Sequence, residues 1–314
     1  MFDKFHIFLG ATVADAAARP LHWIYDQKTL QKHIKGKKDF AFFKENKSPF
    51  YSIKTGKVSG YNDVGQVMFR SLKEDQNEKG ILSVFKKNIV KNFGPGSLYW
   101  KNLTLRKKYK KIKWRSKIKG PWIHQNIMET IQNIKRKKKI TGGIKVNESD
   151  GYCAALPYFL YYQSFKNIKR VVSAVANTKL SMEYALAKLM IINLADKGLK
   201  NPVDAFLKQN KNKSYFKGVI IKIKEVKALK KKPHNMVVKK MGMACSYPGT
   251  FCGALHAIIT SKNYKSAVLK TIKAGGCNCS RANFVGAYFA AFKGIKSIPK
   301  EWIQKTEAYK SFLL

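Results

Sequence analysis

The residues best placed to do chemistry lie at 274–281, Ala-Gly-Gly-Cys-Asn-Cys-Ser-Arg. Two glycines bring the backbone tight against a helix whose period begins at about Asn278. The start of a helix offers unpaired amides and the positive end of its dipole. Cys277 and Cys279 stand in that turn beside Arg281, a setting that lowers a thiol pKa and favours the nucleophilic thiolate. Two readings follow. In one, Cys277 is an attacking thiolate that Cys279 resolves as a disulfide; in the other, both are small buried residues that merely pack.

Carboxylates are scarce, 18 Asp and Glu against 62 Lys and Arg. Asp15 and Asp26, near the first helix and its exit, either pair with Arg19 or face a cleft. His256, among Leu255 and Ile258 on an apolar helix, reads as a hydrogen-bonded core residue. His6, His33 and His234 have no Cys or carboxylate at ligand spacing, whereas His124 follows Trp122 in a first turn, where it caps the helix or lines a cleft. Trp23, Trp122 and Trp302 read as core anchors.

The elements that must position these groups are helices. Helical spacing recurs almost everywhere, and only residues 215–223 alternate like a strand. Helices are expected at about 4–17, 64–73, 81–91, 121–134, 152–163, 181–197, 202–209, 250–260, 264–274, 278–293 and 299–310. Pro121, Pro202 and Pro299 fall at first-turn positions, and Gly198 and Gly294 act as stops. The small-residue spacings Gly10 to Ala14 and Gly286 to Ala290 suit close helix packing. Residues 35–60 and 101–119 are expected as surface loops; the second interleaves bases with Tyr109 and Trp114, as a nucleic-acid-binding segment would. No repeat or linker divides the chain, so one all-α domain over 1–314 is expected.

The 314 residues are 45% hydrophobic, which excludes disordered, collagenous and disulfide-stapled classes. The net charge of +44 is spread from end to end and is nearly all Lys, alongside frequent Asn and Ile. That mix follows from AT-biased codons, and its physical consequence is non-specific attraction to polyanions. Five cysteines, an odd number, and the lack of a charged and then apolar leader at Met1 point to a reducing, cytoplasmic setting. The longest apolar stretches, such as 186–195, are too short to span a membrane.

The run Gly275-Gly276-Cys277-Asn278-Cys279-Ser280, with Gly286-Ala287, Gly294 and Ile298-Pro299-Lys300-Glu301-Trp302, resembles the C-terminal signature of the ADP-ribosylglycohydrolase family, whose turn reads Gly-Gly-Asp-x-Asp-Ser/Thr. Ser246-Tyr247-Pro248-Gly249-Thr250 and residues 264–274 resemble the preceding helices, Leu9-Gly10-Ala11 to Asp15-Ala16 the opening helix, Tyr61-Asn62-Asp63 the Thr-Asp-Asp metal segment, and 171–198 the central Thr-His helix. Arg19-Pro20-Leu21-His22-Trp23-Ile24-Tyr25-Asp26, Gly120-Pro121-Trp122-Ile123 and Asn278-Cys279-Ser280-Arg281-Ala282 are similar to its crystallin-like branch, the J-crystallins and selenoprotein J.

The resemblance implies an all-α bundle whose cleft holds two Mg²⁺ ions that activate water and position an ADP-ribosyl ribose for glycosidic cleavage. Carried onto this chain, it makes Asp63 and Cys277 catalytic and Asp63, Cys277, Cys279, Ser280, His22 and Asn62 the metal ligands. It places Asp15, Asp26, Asp150, Gly151, Lys179, Gly275, Gly276 and Arg281 against the ligand. At the family's ligand positions this chain has His22, Asn62-Asp63-Val64, Cys277 and Cys279, which leaves Asp63 and Ser280 as the main oxygen ligands where two hard Mg²⁺ ions need many more. The shift toward sulfur and imidazole makes Cys277, Cys279, His22 and Asp63 a candidate Zn²⁺ set. Three functions remain open: hydrolysis of an ADP-ribosyl or related glycosidic bond, a non-catalytic binding or crystallin-like structural role, and thiol oxidoreduction at Cys277 and Cys279.

Overall fold

A computed structural model describes residues 4–110 and 117–312. Its described residues form sixteen α-helices and one two-stranded sheet. Two helices, α1 (Phe5–Ala18) and α15 (Asn278–Lys293), are buried on nearly every side, as follows when a helix carries apolar residues all round. They pack against each other through the small residues. A Cβ on Gly286 would meet the Gly10 carbonyl oxygen at 2.2 Å, and one on Gly10 would meet the Ala290 Cβ at 2.5 Å.

Around this pair stand α3 (Gly60–Glu74), α7 (Asp150–Tyr162), α9 (Lys179–Asp196), α13 (Gly249–Thr260) and α14 (Tyr264–Lys273). They share one apolar core running from Phe5 to Trp302. Polar N-caps fix several starts: Thr178 Oγ1 accepts the Ser181 amide at 3.1 Å for α9, and Asn263 Oδ1 accepts that of Ser266 at 2.9 Å for α14. Gly198 and Gly294 follow α9 and α15 with φ of 76° and 72°, the left-handed stops expected of them.

The outer layer departs from the sequence expectations. α2 (Gln27–Ile34), α5 (Leu98–Lys110), α8 (Ile168–Val175) and α12 (His234–Met241) form where no helix was expected. The 101–119 loop is therefore corrected, since its first half is helical; Trp114 and the side chain of Tyr109 lie outside the described residues. The strand-like run 215–223 belongs to a 3-10 turn and α11 (Lys217–Ala228), where Val219, Ile220, Ile223 and Val226 make a helical buried face. Pro121 precedes rather than opens its helix, α6 (Gln125–Lys135), and the 299–310 helix divides into α16 (Lys300–Lys305) and a 3-10 segment.

Residues 35–59 are free of helix. Arg19 anchors this excursion, its Nε donating to the Lys57 carbonyl at 2.9 Å and its Nη2 to that of Lys54 at 2.8 Å. The strand β1 (Tyr51–Ser52) pairs in parallel with β2 (Ile118–Lys119), which sets Tyr51 against the core. Among the described residues no helix is long and apolar enough to cross a membrane.

Candidate functional site

Cys277 is the N-cap of α15 and is fully buried. Gly275 and Gly276 hold φ of 71° and 63°, and Cβ atoms there would meet the Ile24 and Met243 carbonyl oxygens at 2.6 and 2.5 Å. Only glycine lets three chain segments meet at this point. Trp23 N donates to Gly276 O at 2.9 Å and Cys277 N to Met243 O at 2.9 Å, so the segments before α2 and after α12 close over the turn.

These backbone ties converge on the Cys277 sulfur. His22 Nε2 lies 3.5 Å from it and His22 Nδ1 2.9 Å from the Tyr51 hydroxyl. Burial lowers the His22 pKa and holds that of Tyr51 well up, so a neutral imidazole faces a protonated phenol. With Tyr51 donating to Nδ1, the single imidazole proton sits on Nε2 and points at the sulfur. On the other side the Trp23 indole N–H donates to Cys245 Sγ at 3.2 Å. The Ser280 hydroxyl lies 3.2 Å from the Cys277 sulfur. Burial alone would raise the Cys277 thiol, but the neighbouring Cys245, His22 and Ser280 hold it well below the ordinary range. The neighbouring Cys277 and desolvation push the thiol of the partly exposed Cys245 up.

A second group adjoins the first through Tyr61, whose hydroxyl lies 3.8 Å from the Cys277 sulfur and donates to Glu148 Oε2 at 3.1 Å. The His124 ring packs on Tyr61 with centroids 3.9 Å apart, and its Nδ1 meets Asp150 Oδ1 at 2.7 Å. Asn126 Nδ2 donates to the other Asp150 oxygen at 3.0 Å. Burial opposes the His124 imidazolium, yet Asp150 and Glu148 outweigh it and raise its pKa. Burial and the neighbouring Asp150 lift Glu148 to about 7. Beneath this segment, Lys188 Nζ donates to Ser149 Oγ at 3.2 Å and the Tyr247 hydroxyl at 3.1 Å. The partly exposed Tyr25, Phe50, Trp122, Cys245 and Glu148 mark where the two groups open toward solvent. The rings of Phe50 and Trp122 stand against Trp23 at 5.6 and 5.5 Å.

The description "ADP-ribosylglycohydrolase" matches residues 5–313. The chain belongs to the ADP-ribosylglycohydrolase family. It is 30% identical over 312 residues to Crystallin J1A of Tripedalia cystophora, covering 95% of this chain and 90% of that one. Crystallin J1B of the same animal is 27% identical over 304 residues, with the same coverage. A solved structure, "ADP-ribosylglycohydrolase-related protein complex", superimposes with a TM-score of 0.61 at 14% identity, covering 98% of this chain and 93% of that one, a likeness of fold.

Family membership gives the positions of the expected site residues their meaning. The fold brings His22, Cys277 and Ser280 together, and the rest of the expected ligand set turns elsewhere. Asp63 hydrogen-bonds to Tyr99 and lines a separate cleft of ≈ 470 Å³ with Lys57, Asn92, Pro121 and Glu307; burial raises it to about 6 against the Tyr99 bond. Asn62 Nδ2 reaches Asn283 at 3.5 Å, and its Oδ1 accepts from Gln66 at 3.1 Å. Cys279 points inward, with its sulfur 3.8 Å from the Asp15 carbonyl oxygen. Among the described residues the one group of three or more His, Cys, Asp or Glu with ligand atoms within 4.8 Å of one another is His124, Glu148 and Asp150. The Zn²⁺ set of Cys277, Cys279, His22 and Asp63 is therefore not assembled.

Two Mg²⁺ ions do not fit the expected ligands either, because hard cations require oxygen donors and sulfur stands at 277 and 279 while Asp63 is engaged by Tyr99. Several expected ligand contacts resolve into structure. Asp15 accepts from Ser59 N at 2.6 Å, Ser59 Oγ at 2.7 Å and Asn283 at 3.2 Å rather than pairing with Arg19, and burial raises it to about 7. Asp26 caps α2 through the Thr29 amide at 2.8 Å. A Cβ on Gly151 would meet Val172 Cγ1 at 2.7 Å, so Gly151 serves the packing of α7 on α8. Lys179 is exposed, 3.9 Å from Glu183, and Arg281 is buried with its Nη2 on the Gly275 carbonyl. The expectation missed Cys245, Tyr51, Tyr61 and Glu148; Glu148 carried a signal, as one of few acids just ahead of a helix start.

Proposed function

We propose that this protein is a ligand-binding member of the family that holds an ADP-ribosyl-type molecule without hydrolysing it through paired Mg²⁺ ions. One observation carries the reading: at the two carboxylate positions of the family's signature turn, sulfur atoms are buried and bonded within the protein. The aromatic wall of Trp23, Phe50 and Trp122 suits the face of a base, and Glu148 with the Tyr61 hydroxyl suits sugar hydroxyls. The J-crystallin likeness accords with a family fold kept for a role other than turnover.

Titration calorimetry with ADP-ribose, alongside hydrolysis assays on ADP-ribosylated peptides and metal analysis of the purified chain, tests this. Binding indifferent to EDTA, with no turnover and no stoichiometric Mg²⁺, is expected. Chelator-sensitive hydrolysis lost in Asp63→Ala would overturn it. A second reading, a hydrolase whose cation site has moved, is favoured by the His124, Glu148 and Asp150 group. It requires cation-dependent turnover that disappears in Glu148→Gln and persists in Asp63→Ala.

A further inference from the structure

The cysteine whose segment is tied to the Cys277 turn is Cys245, whereas Cys279, two residues along, points inward to the Asp15 backbone. Three independent ties seat the segment after α12 on the α15 turn: Cys277 N on Met243 O at 2.9 Å, Gly276 against Met243, and the Trp23 indole on Cys245 Sγ at 3.2 Å, while Trp23 N holds Gly276 O at 2.9 Å. Trp23 itself has φ of 64°, a conformation a non-glycine residue adopts only when its surroundings impose it. All five cysteines are free.

The charges around Cys277 call for an anion. Arg281 is fully buried, and its Nε and Nη1 have no hydrogen-bond acceptor among the described residues. Among the described residues no carboxylate forms an ion pair with it, and its Nη2 reaches the Gly275 carbonyl in the turn that carries Cys277. The amides of α15 and the His22 Nε2–H bear on the same sulfur. His22 and both sulfurs do not form a set of ligand atoms within 4.8 Å, so this arrangement is not a metal site.

We propose that Cys277 and Cys245 form a peroxide-reducing dithiol, in which Cys277 is the attacking thiolate and Cys245 the resolving thiol. The Cys277 sulfur attacks one oxygen of a hydroperoxide. The O–O bond breaks, and the departing oxygen takes a proton from solvent and leaves as water or an alcohol. Cys277 becomes a sulfenic acid. Cys245 then attacks that sulfur, the S–O bond breaks, and the hydroxyl leaves as water with the Cys245 proton. Two thiols have lost two electrons to one peroxide, and an external dithiol restores them. Cys277 has no exposed surface while Cys245 is partly exposed, so a small peroxide is the fitting substrate and bulky alkylating agents are not.

The test uses the full chain, freshly reduced and freed of reductant, treated with equimolar hydrogen peroxide at pH 7, then blocked with N-ethylmaleimide under denaturing conditions and mapped by mass spectrometry. A peptide linked between Cys245 and Cys277, reversed by dithiothreitol, is expected. In Cys245→Ser, dimedone should trap a sulfenic acid at Cys277, and in Cys277→Ser peroxide consumption should fall at least about tenfold, the gain a stabilised thiolate gives over an ordinary thiol. The wild-type map needs no variant to fold, so the proposal stays testable if either substitution unfolds the chain. A link between Cys277 and Cys279, oxidation elsewhere in preference to Cys277, or no disulfide at all would overturn it. None of these outcomes depends on whether ADP-ribose binds.

Discussion

Replacing Lys188 with Met should stabilise the protein at neutral pH. Lys188 is fully buried on α9, and among the described residues no carboxylate pairs with it. Its Nζ meets the hydroxyls of Ser149 and Tyr247 and the ring faces of Tyr152, Tyr247 and Phe284 at 4.5, 4.8 and 5.5 Å. Burial lowers its pKa from 10.5 to about 7. The lowered value means the folded state binds the proton less tightly than the unfolded chain. Stability is therefore greatest above pH 10.5, declines as pH falls from there to about 7, and is lowest below that. At about 1.36 kcal/mol for each tenfold in proton affinity, the full decline approaches ~5 kcal/mol, an upper bound that relaxation around the charge reduces to roughly 2–3 kcal/mol.

Met fills similar space without a charge. The two hydroxyls that lose Nζ still bond each other, Ser149 Oγ to the Tyr247 hydroxyl at 3.2 Å, so no polar atom is stranded. Urea unfolding of wild type and Lys188→Met at pH 7 and pH 9.5 measures the effect. The variant should be more stable by about 2 kcal/mol at pH 7, and the difference should shrink at pH 9.5. A variant less stable than wild type at pH 7, or a difference that does not change with pH, refutes the reasoning, because the ammonium would then be well accommodated in its aromatic surroundings.

Gly286→Ala places a Cβ 2.2 Å from the Gly10 carbonyl oxygen, which no side-chain rotation relieves, so a loss of about 3 kcal/mol or failure to fold is expected in thermal melts. Asp26→Ala removes the N-cap of α2 and should cost about 1 kcal/mol in chemical unfolding without altering ligand binding. Binding to duplex DNA or heparin should be independent of sequence and vanish by about 0.5 M salt in filter binding, as counterion release from a +44 chain requires; selective binding surviving that salt would contradict a compositional origin of the charge.

The sequence by itself determined the central frame. Gly10, Ala14, Gly286 and Ala290 announced close helix packing because one-turn spacing of small residues aligns them on a single face, and Gly198, Gly294 and Pro202 marked helix ends through their own backbone limits. The signature turn carried the family. The outer helices were less legible, since α2, α5 and α12 are short or heavily charged and gain their order from the core they lie on. The site's partnerships belonged to the tertiary structure alone. Cys277 and Cys279 are neighbours in sequence, yet positions two apart at a helix start project to different sides, sending one sulfur to His22 and the other to the Asp15 backbone. Tyr51 comes from an excursion pinned by Arg19, and Cys245 from a loop that only Gly276 leaves room for. Asp63, which the resemblance put forward as a metal ligand, is bonded to Tyr99. Local spacing states which way a side chain leaves its own element; which group meets it there depends on how distant segments pack, and a one-dimensional pattern does not hold that.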